Sequence, residues 1–183
     1  FLCLGFALFG FMSEVKSQGN RPIGTWKDFF PYGQVLKFAP ADGVVYAMTE
    51  YAVFSYYPET IELERHSIIQ GLSESNPSAI AVAPIGTQES HVLIIGYGNG
   101  NIDLLTDAGV YNMPDIVNSN LIGDKSIREI FVDGPKAYLS TSFGVVVIDI
   151  NSVEVSDTWY IRGQQELLGV SSINKHDGKW VVA

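Results

Sequence analysis

The chain has 183 residues, a formal net charge of −9 and a single cysteine, Cys3. Acidity without a basic cluster excludes a nucleic-acid interface and a polybasic membrane patch. A lone cysteine near the start excludes disulfides, thiolate metal sites and a cysteine nucleophile in the rest of the chain.

Residues 1–12 are apolar apart from glycines and Cys3. Such a run falls short of the roughly 20 residues that cross a bilayer. It suits the hydrophobic part of a secretory signal, expected over residues 1–19, with small residues at Ser17 and Gly19 allowing cleavage before Asn20. Residues 20–183 are read as the N-terminal part of a β-propeller domain that continues past Ala183. Residues 20–33 form a turn-rich aromatic lead-in. A first unit then places strands at residues 34–39, 44–49, 53–57 and 61–66, its first hairpin closed by Asp42-Gly43, a strong hairpin signal. A second unit places them at 78–83, 92–96, 101–105 and 110–113. The third covers residues 126–150 as three strands and 153–161 as a fourth, and a further unit opens at Val170. β-Branched and aromatic residues fill these runs and glycines punctuate them.

The units repeat. An aromatic followed by a small residue recurs at Tyr51-Ala52, Tyr97-Gly98 and Phe143-Gly144, 46 residues apart each time. The same shift carries Asp103 onto Asp149, with Tyr57 in the corresponding place of the first unit, and Tyr46 onto Val92 and Tyr138. A period of about 20–50 residues marks a solenoid, a propeller or an array. Four short antiparallel strands per period is a propeller blade. Runs such as Val145 to Ile148 are apolar on both faces, as a sheet stacked between two others requires. The expected fold is all-β: about three complete four-stranded blades and the start of a fourth, part of a larger propeller.

Reactive chemistry is sparse. His66, His91 and His176 fall on unrelated positions of the repeat and are expected to face solvent, with no metal site. Asp103 and Asp149 are expected to accept hydrogen bonds from neighbouring turns. The glycine-rich Gly96-Tyr-Gly-Asn-Gly-Asn101 lacks the lysine of a phosphate loop and precedes a strand, so it reads as a tight turn. No serine sits in a nucleophile elbow. No catalytic residue, metal or cofactor is expected, and the chain is read as not an enzyme. The candidate ligand or partner residues are those of the turns between second and third strands: Tyr51, Tyr97, Asn99, Asn101 and Phe143. Exposed aromatics there would stack on sugars or dock a protein; inter-blade packing accounts for them with no function at all and is the favoured reading.

Ser140-Thr-Ser-Phe-Gly-Val-Val-Val-Ile-Asp149 and Ile95-Gly-Tyr-Gly-Asn-Gly-Asn-Ile-Asp103 resemble the propeller repeats of periplasmic sensor regions in bacterial two-component regulators. Three stretches in order, Ile23-Gly-Thr-Trp-Lys-Asp28, Ile95 to Leu104 and Lys136 to Asp149, are similar to the N-terminal propeller of the PorZ family of the type IX secretion system of Bacteroidota. That resemblance implies a non-catalytic, exported protein at the outer membrane or cell surface. Its implied partners are a PorU-like sortase, PorV- and PorQ-like subunits and anionic lipopolysaccharide. The alternative is a periplasmic ligand-sensing propeller of a two-component regulator.

Overall fold

The computed structural model describes residues 32–86, 90–164 and 167–183. The expected signal segment and the lead-in as far as residue 31 lie outside the described residues. The described chain contains three antiparallel four-stranded sheets and one hairpin. The first sheet is β1 (Lys37–Ala41), β2 (Val44–Met48), β3 (Val53–Tyr57) and β4 (Glu62–His66). The second is β5 (Pro77–Pro84), β6 (His91–Tyr97), β7 (Ile102–Thr106) and β8 (Gly109–Met113). The third is β9 (Ile127–Asp133), β10 (Lys136–Thr141), β11 (Gly144–Asp149) and β12 (Glu154–Tyr160). The hairpin is β13 (Ile173–His176) with β14 (Lys179–Val182). In every sheet the strands lie side by side in chain order. This is the β-propeller architecture, and the expected strands all appear.

Alternation along the strands explains the stacking. In β6, Leu93, Ile95 and Tyr97 join a buried cluster with Tyr46, Met48 and Val53 of the first blade. Val92 and Ile94, on the other face, join Ile127, Leu139 and Val146 of the third. In β11 the same division recurs: Val146 and Ile148 face blade 2, while Val145 and Val147 meet Val170 of the next connection and Ile173 of the following hairpin. The first strands of the blades are neighbours, since Ser78 of β5 donates to the Ile127 carbonyl of β9 at 2.6 Å. Lys37 of β1 reaches the Arg128 carbonyl of β9 at 3.0 Å. These contacts place β1, β5 and β9 on the inner side of the arc.

The turns between second and third strands follow one design in blades 1 and 3. Thr49 donates through Oγ1 to the Ala52 carbonyl at 3.0 Å, and Thr141 to the Gly144 carbonyl at 2.9 Å. In blade 2, Tyr97 stands where these threonines do, and Gly98-Asn99-Gly100 close the turn, with the Tyr97 amide bonded to the Asn101 carbonyl at 3.1 Å. This longer turn slides the register. Met48 pairs with Val53, Gly96 with Ile102 and Ser140 with Val145. Asp103 is therefore the counterpart of Phe54 and Val146, not of Asp149; the equivalence expected from the 46-residue shift is corrected here. Tyr57 and Asp149 do correspond, each ending its strand opposite Glu62 and Glu154.

The turn that follows them forces strain into blades 1 and 3, where Ile61 (φ 58°) and Val153 (φ 55°) hold the left-handed conformation. A β-branched residue there costs about 1–2 kcal/mol. Ile61 is 78% exposed, so its side chain returns little. Ile61→Asn is expected to stabilise the protein by about 1 kcal/mol in urea unfolding. Gly144 (φ 137°) is the reverse case, because an added Cβ would collide with the Trp159 carbonyl. Gly144→Ala is expected to cost about 2–3 kcal/mol by the same measurement.

Candidate functional site

The turns between second and third strands gather with the blade-to-blade connections on one face. Asn99 donates to Glu74 of the first connection at 2.9 Å. The Ser142 hydroxyl donates to the Asp124 carbonyl of the second connection. The Val170 amide, in the third, donates to the Thr141 carbonyl at 2.8 Å. The turns of blades 2 and 3 are thereby clamped to neighbouring connections.

Of the five candidate residues, three point inward. Tyr97 is 1% exposed and Phe143 6%, packed at 6.3 Å from the Tyr160 ring. Asn101 is buried and accepts from Asn112 at 2.9 Å. Tyr97 and Phe143 are therefore not exposed for stacking on a ligand: both occupy the space between blades, the packing role favoured for them from sequence, where burial of a large ring stabilises most. Phe143 also lines a cavity of about 160 Å³ with Ile116, Leu121 and Tyr160. Asn99 is exposed, held by Glu74 and by accepting from the Asn101 amide at 2.9 Å. Tyr51 is half-buried at the surface of its turn, and a hydrogen bond to Glu50 raises its hydroxyl pKa.

Beneath these turns lies a buried carboxylate, Asp103, with three donors. Asp103 has no exposed surface. It accepts from the Tyr97 hydroxyl at 2.7 Å, from Asn112 at 2.9 Å and from the Ser73 amide at 2.8 Å. Ser73 belongs to the connection from blade 1, so one carboxylate ties two blades. Burial, and then the adjacent Asp103 carboxylate, hold the Tyr97 hydroxyl far above the usual tyrosine range. It stays protonated and donating. Asp149 has a different task, accepting from the Asn151 and Ser152 amides of its own turn at 3.0 and 3.2 Å.

The histidines also differ from expectation. His66 is 9% exposed and bonded through Nε2 to the Ser55 hydroxyl at 2.7 Å. His91 meets the Tyr46 hydroxyl at 2.8 Å, and only His176 is fully at the surface. His66 is buried because its strand ends between two blades. The hidden Ser55–His66 pair carried no sequence motif; only strand register exposes it. Burial pushes the His66 imidazole pKa down, against a smaller opposing pull from Glu64.

Two outcomes follow from these bonds. Tyr97→Phe removes one donor from a buried carboxylate and is expected to cost about 1–3 kcal/mol in urea unfolding. A lowered folded pKa on a histidine means that the unfolded chain binds the proton more readily. His66 therefore contributes stability above its unfolded value of about 6.5 and loses it as pH falls below. Between about pH 7 and 5 the wild type should lose more stability than His66→Gln in paired thermal melts.

Residues 45–183 match the family model described as TSS9, PorZ, N-terminal beta-propeller domain. A solved structure of PorZ, described as an essential bacterial surface component of the type-IX secretion system of Porphyromonas gingivalis, superposes with a TM-score of 0.68 at 26% identity. The match covers 81% of this chain and 19% of that chain, so the sequence spans about a fifth of that PorZ. The computationally designed Ika4 protein superposes with a TM-score of 0.54 at 13% identity, covering 84% of this chain and 87% of Ika4. A chain of the mitotic checkpoint complex does so at 0.51 and 14%, covering 96% of this chain and 53% of its own. These last two show the fold alone. No curated protein matches the sequence. The chain belongs to the family of PorZ N-terminal β-propeller domains of the type IX secretion system.

Proposed function

We propose that this chain is part of a non-catalytic component of the type IX secretion attachment complex at the outer membrane or cell surface. In this reading it binds anionic lipopolysaccharide and presents it to a PorU-like sortase, alongside PorV- and PorQ-like subunits. Family membership over residues 45–183 carries the reading. The relative described as an essential surface component of that system supports it. The connection face is the surface offered. Tyr51 and Asn99 present their side chains there, while Tyr97, Asn101 and Phe143 shape the turns from below. Lys37, whose Nζ donates to the Arg128 backbone carbonyl at 3.0 Å, supplies positive charge at the starts of β1 and β9, where the Arg128 guanidinium is paired with Asp124 at 3.8 Å.

The test is affinity isolation of the intact protein from outer-membrane extracts of its native host, followed by binding of the purified protein to anionic lipopolysaccharide. Co-isolation of a sortase and saturable lipopolysaccharide binding are expected. Tyr51→Ala with Asn99→Ala should reduce sortase recovery several-fold while leaving the melting temperature within a few degrees. Recovery in the inner membrane with an attached kinase, or lipopolysaccharide binding no stronger than to neutral lipid, would contradict the reading.

A further inference from the structure

Blade 1 departs from the packing of its neighbours at one place. Val53, Ile102 and Val145 are counterparts at the start of the third strand of each blade. Two residues on, Ser55 stands where blades 2 and 3 have Leu104 and Val147. In the fourth strand, His66 pairs with Val53 as Met113 pairs with Ile102 and Trp159 with Val145. Leu104, Met113 and Val147 are 4%, 1% and 2% exposed and fill the gaps between blades. Ser55 and His66, equally hidden at 1% and 9%, bond to each other instead. A buried polar pair in an apolar position depends on its mutual hydrogen bond to offset the cost of desolvation. Such breaks in local consistency concentrate at functional sites.

Here the break leaves a cavity. A space of about 300 Å³ lies between blades 1 and 2, lined by Tyr46, Ser55, Tyr57, Glu64 and His66 on one side and Asp107 on the other. Its chemistry is one-sided. Glu64 from β4 and Asp107 from the β7–β8 turn approach from opposite blades, and both bear electrostatically on the Tyr46 and Tyr57 hydroxyls. No lysine or arginine lines the space. Tyr57 turns its hydroxyl toward Glu64 at 3.4 Å and Tyr46 engages His91 at 2.8 Å, which ties both rings into the wall. Aromatic rings with carboxylates beside them attract a cation through quadrupole and charge together. An anion would meet two like charges.

We propose that this inter-blade crevice binds an organic cation, the guanidinium or ammonium group of a small amine or of a partner's arginine or lysine side chain. Neither Tyr51 nor Asn99 lines it, although Gln70 of the first connection does, and lipopolysaccharide binding at those turns does not bear on it. The experiment is calorimetric titration of the full-length protein with arginine amide, with citrulline amide as the uncharged isostere and with glucose. Arginine amide should bind saturably, and citrulline amide at least ten-fold more weakly. Glu64→Gln with Asp107→Asn, both at exposed positions that spare the fold, should weaken arginine amide at least ten-fold. Ser55→Val with His66→Met restores the apolar pattern of blades 2 and 3 and should remove binding without lowering the melting temperature. A glycine-flanked arginine peptide binding more tightly than arginine amide assigns the cation to a partner side chain, and equal affinity assigns it to a small amine. Failure of the folded wild type to bind arginine amide, equal binding of citrulline amide, or preferred binding of glucose would each overturn the proposal.

Discussion

Everything in this chain depends on sheets that are apolar on both faces and so cannot be stable alone. Blade 2 shows it most plainly. One strand, β6, sends Leu93 and Ile95 to one neighbour and Val92 and Ile94 to the other, all at 0–1% exposure. Each such side chain contributes about 1.5–3 kcal/mol when removed from water, and only an adjacent sheet removes it. Cohesion therefore passes from blade to blade as in any repeat protein, through nearest-neighbour interfaces. No cysteine occurs among the described residues to cross-link it.

That constraint decides where function has room. The sheet faces are committed to packing, so the variable chemistry moves to the turns and connections, the usual place for binding residues on a rigid scaffold. Here the connection face is itself held firmly. Asp103 takes three donors from a turn, a strand and a connection. The Thr49 and Thr141 hydroxyls close their turns from inside. The surface left to a partner is pre-organised, which reduces the ordering entropy of association. The relaxation of the packing rule at Ser55 and His66 opens a crevice between blades 1 and 2.

The architecture was legible in the sequence because hydrophobic alternation and turn chemistry are local. Strand positions and the propeller blade follow from runs such as Val145 to Ile148 and from hairpins such as Asp42-Gly43, whose glycine adopts φ 71°. Register between blades is not local. The turn at Gly98-Asn99-Gly100 is longer than its counterparts, so a constant 46-residue shift aligned Asp103 with Asp149 and Tyr97 with Tyr51 and Phe143 in a way that strand pairing does not sustain. Burial is equally non-local. Nothing in the immediate sequence of Tyr97, Phe143 or His66 says that a neighbouring blade covers them. The polar crevice became visible only when the blades were aligned by pairing, since serine and histidine in a strand are unremarkable until their counterparts prove to be Leu104 and Met113.

Hydrogen exchange of the full-length protein carrying Ile94→Ala tests the dependence of each blade on the next most directly. Ile94 is fully buried on the face of β6 that meets blade 3. Loss of its side chain is expected to speed amide exchange in β9, β10 and β11 as well as in β5, β6 and β7, because openings spread through a shared interface. Faster exchange confined to β5–β8, with β9–β12 unchanged, would contradict the account and make each sheet a self-sufficient unit.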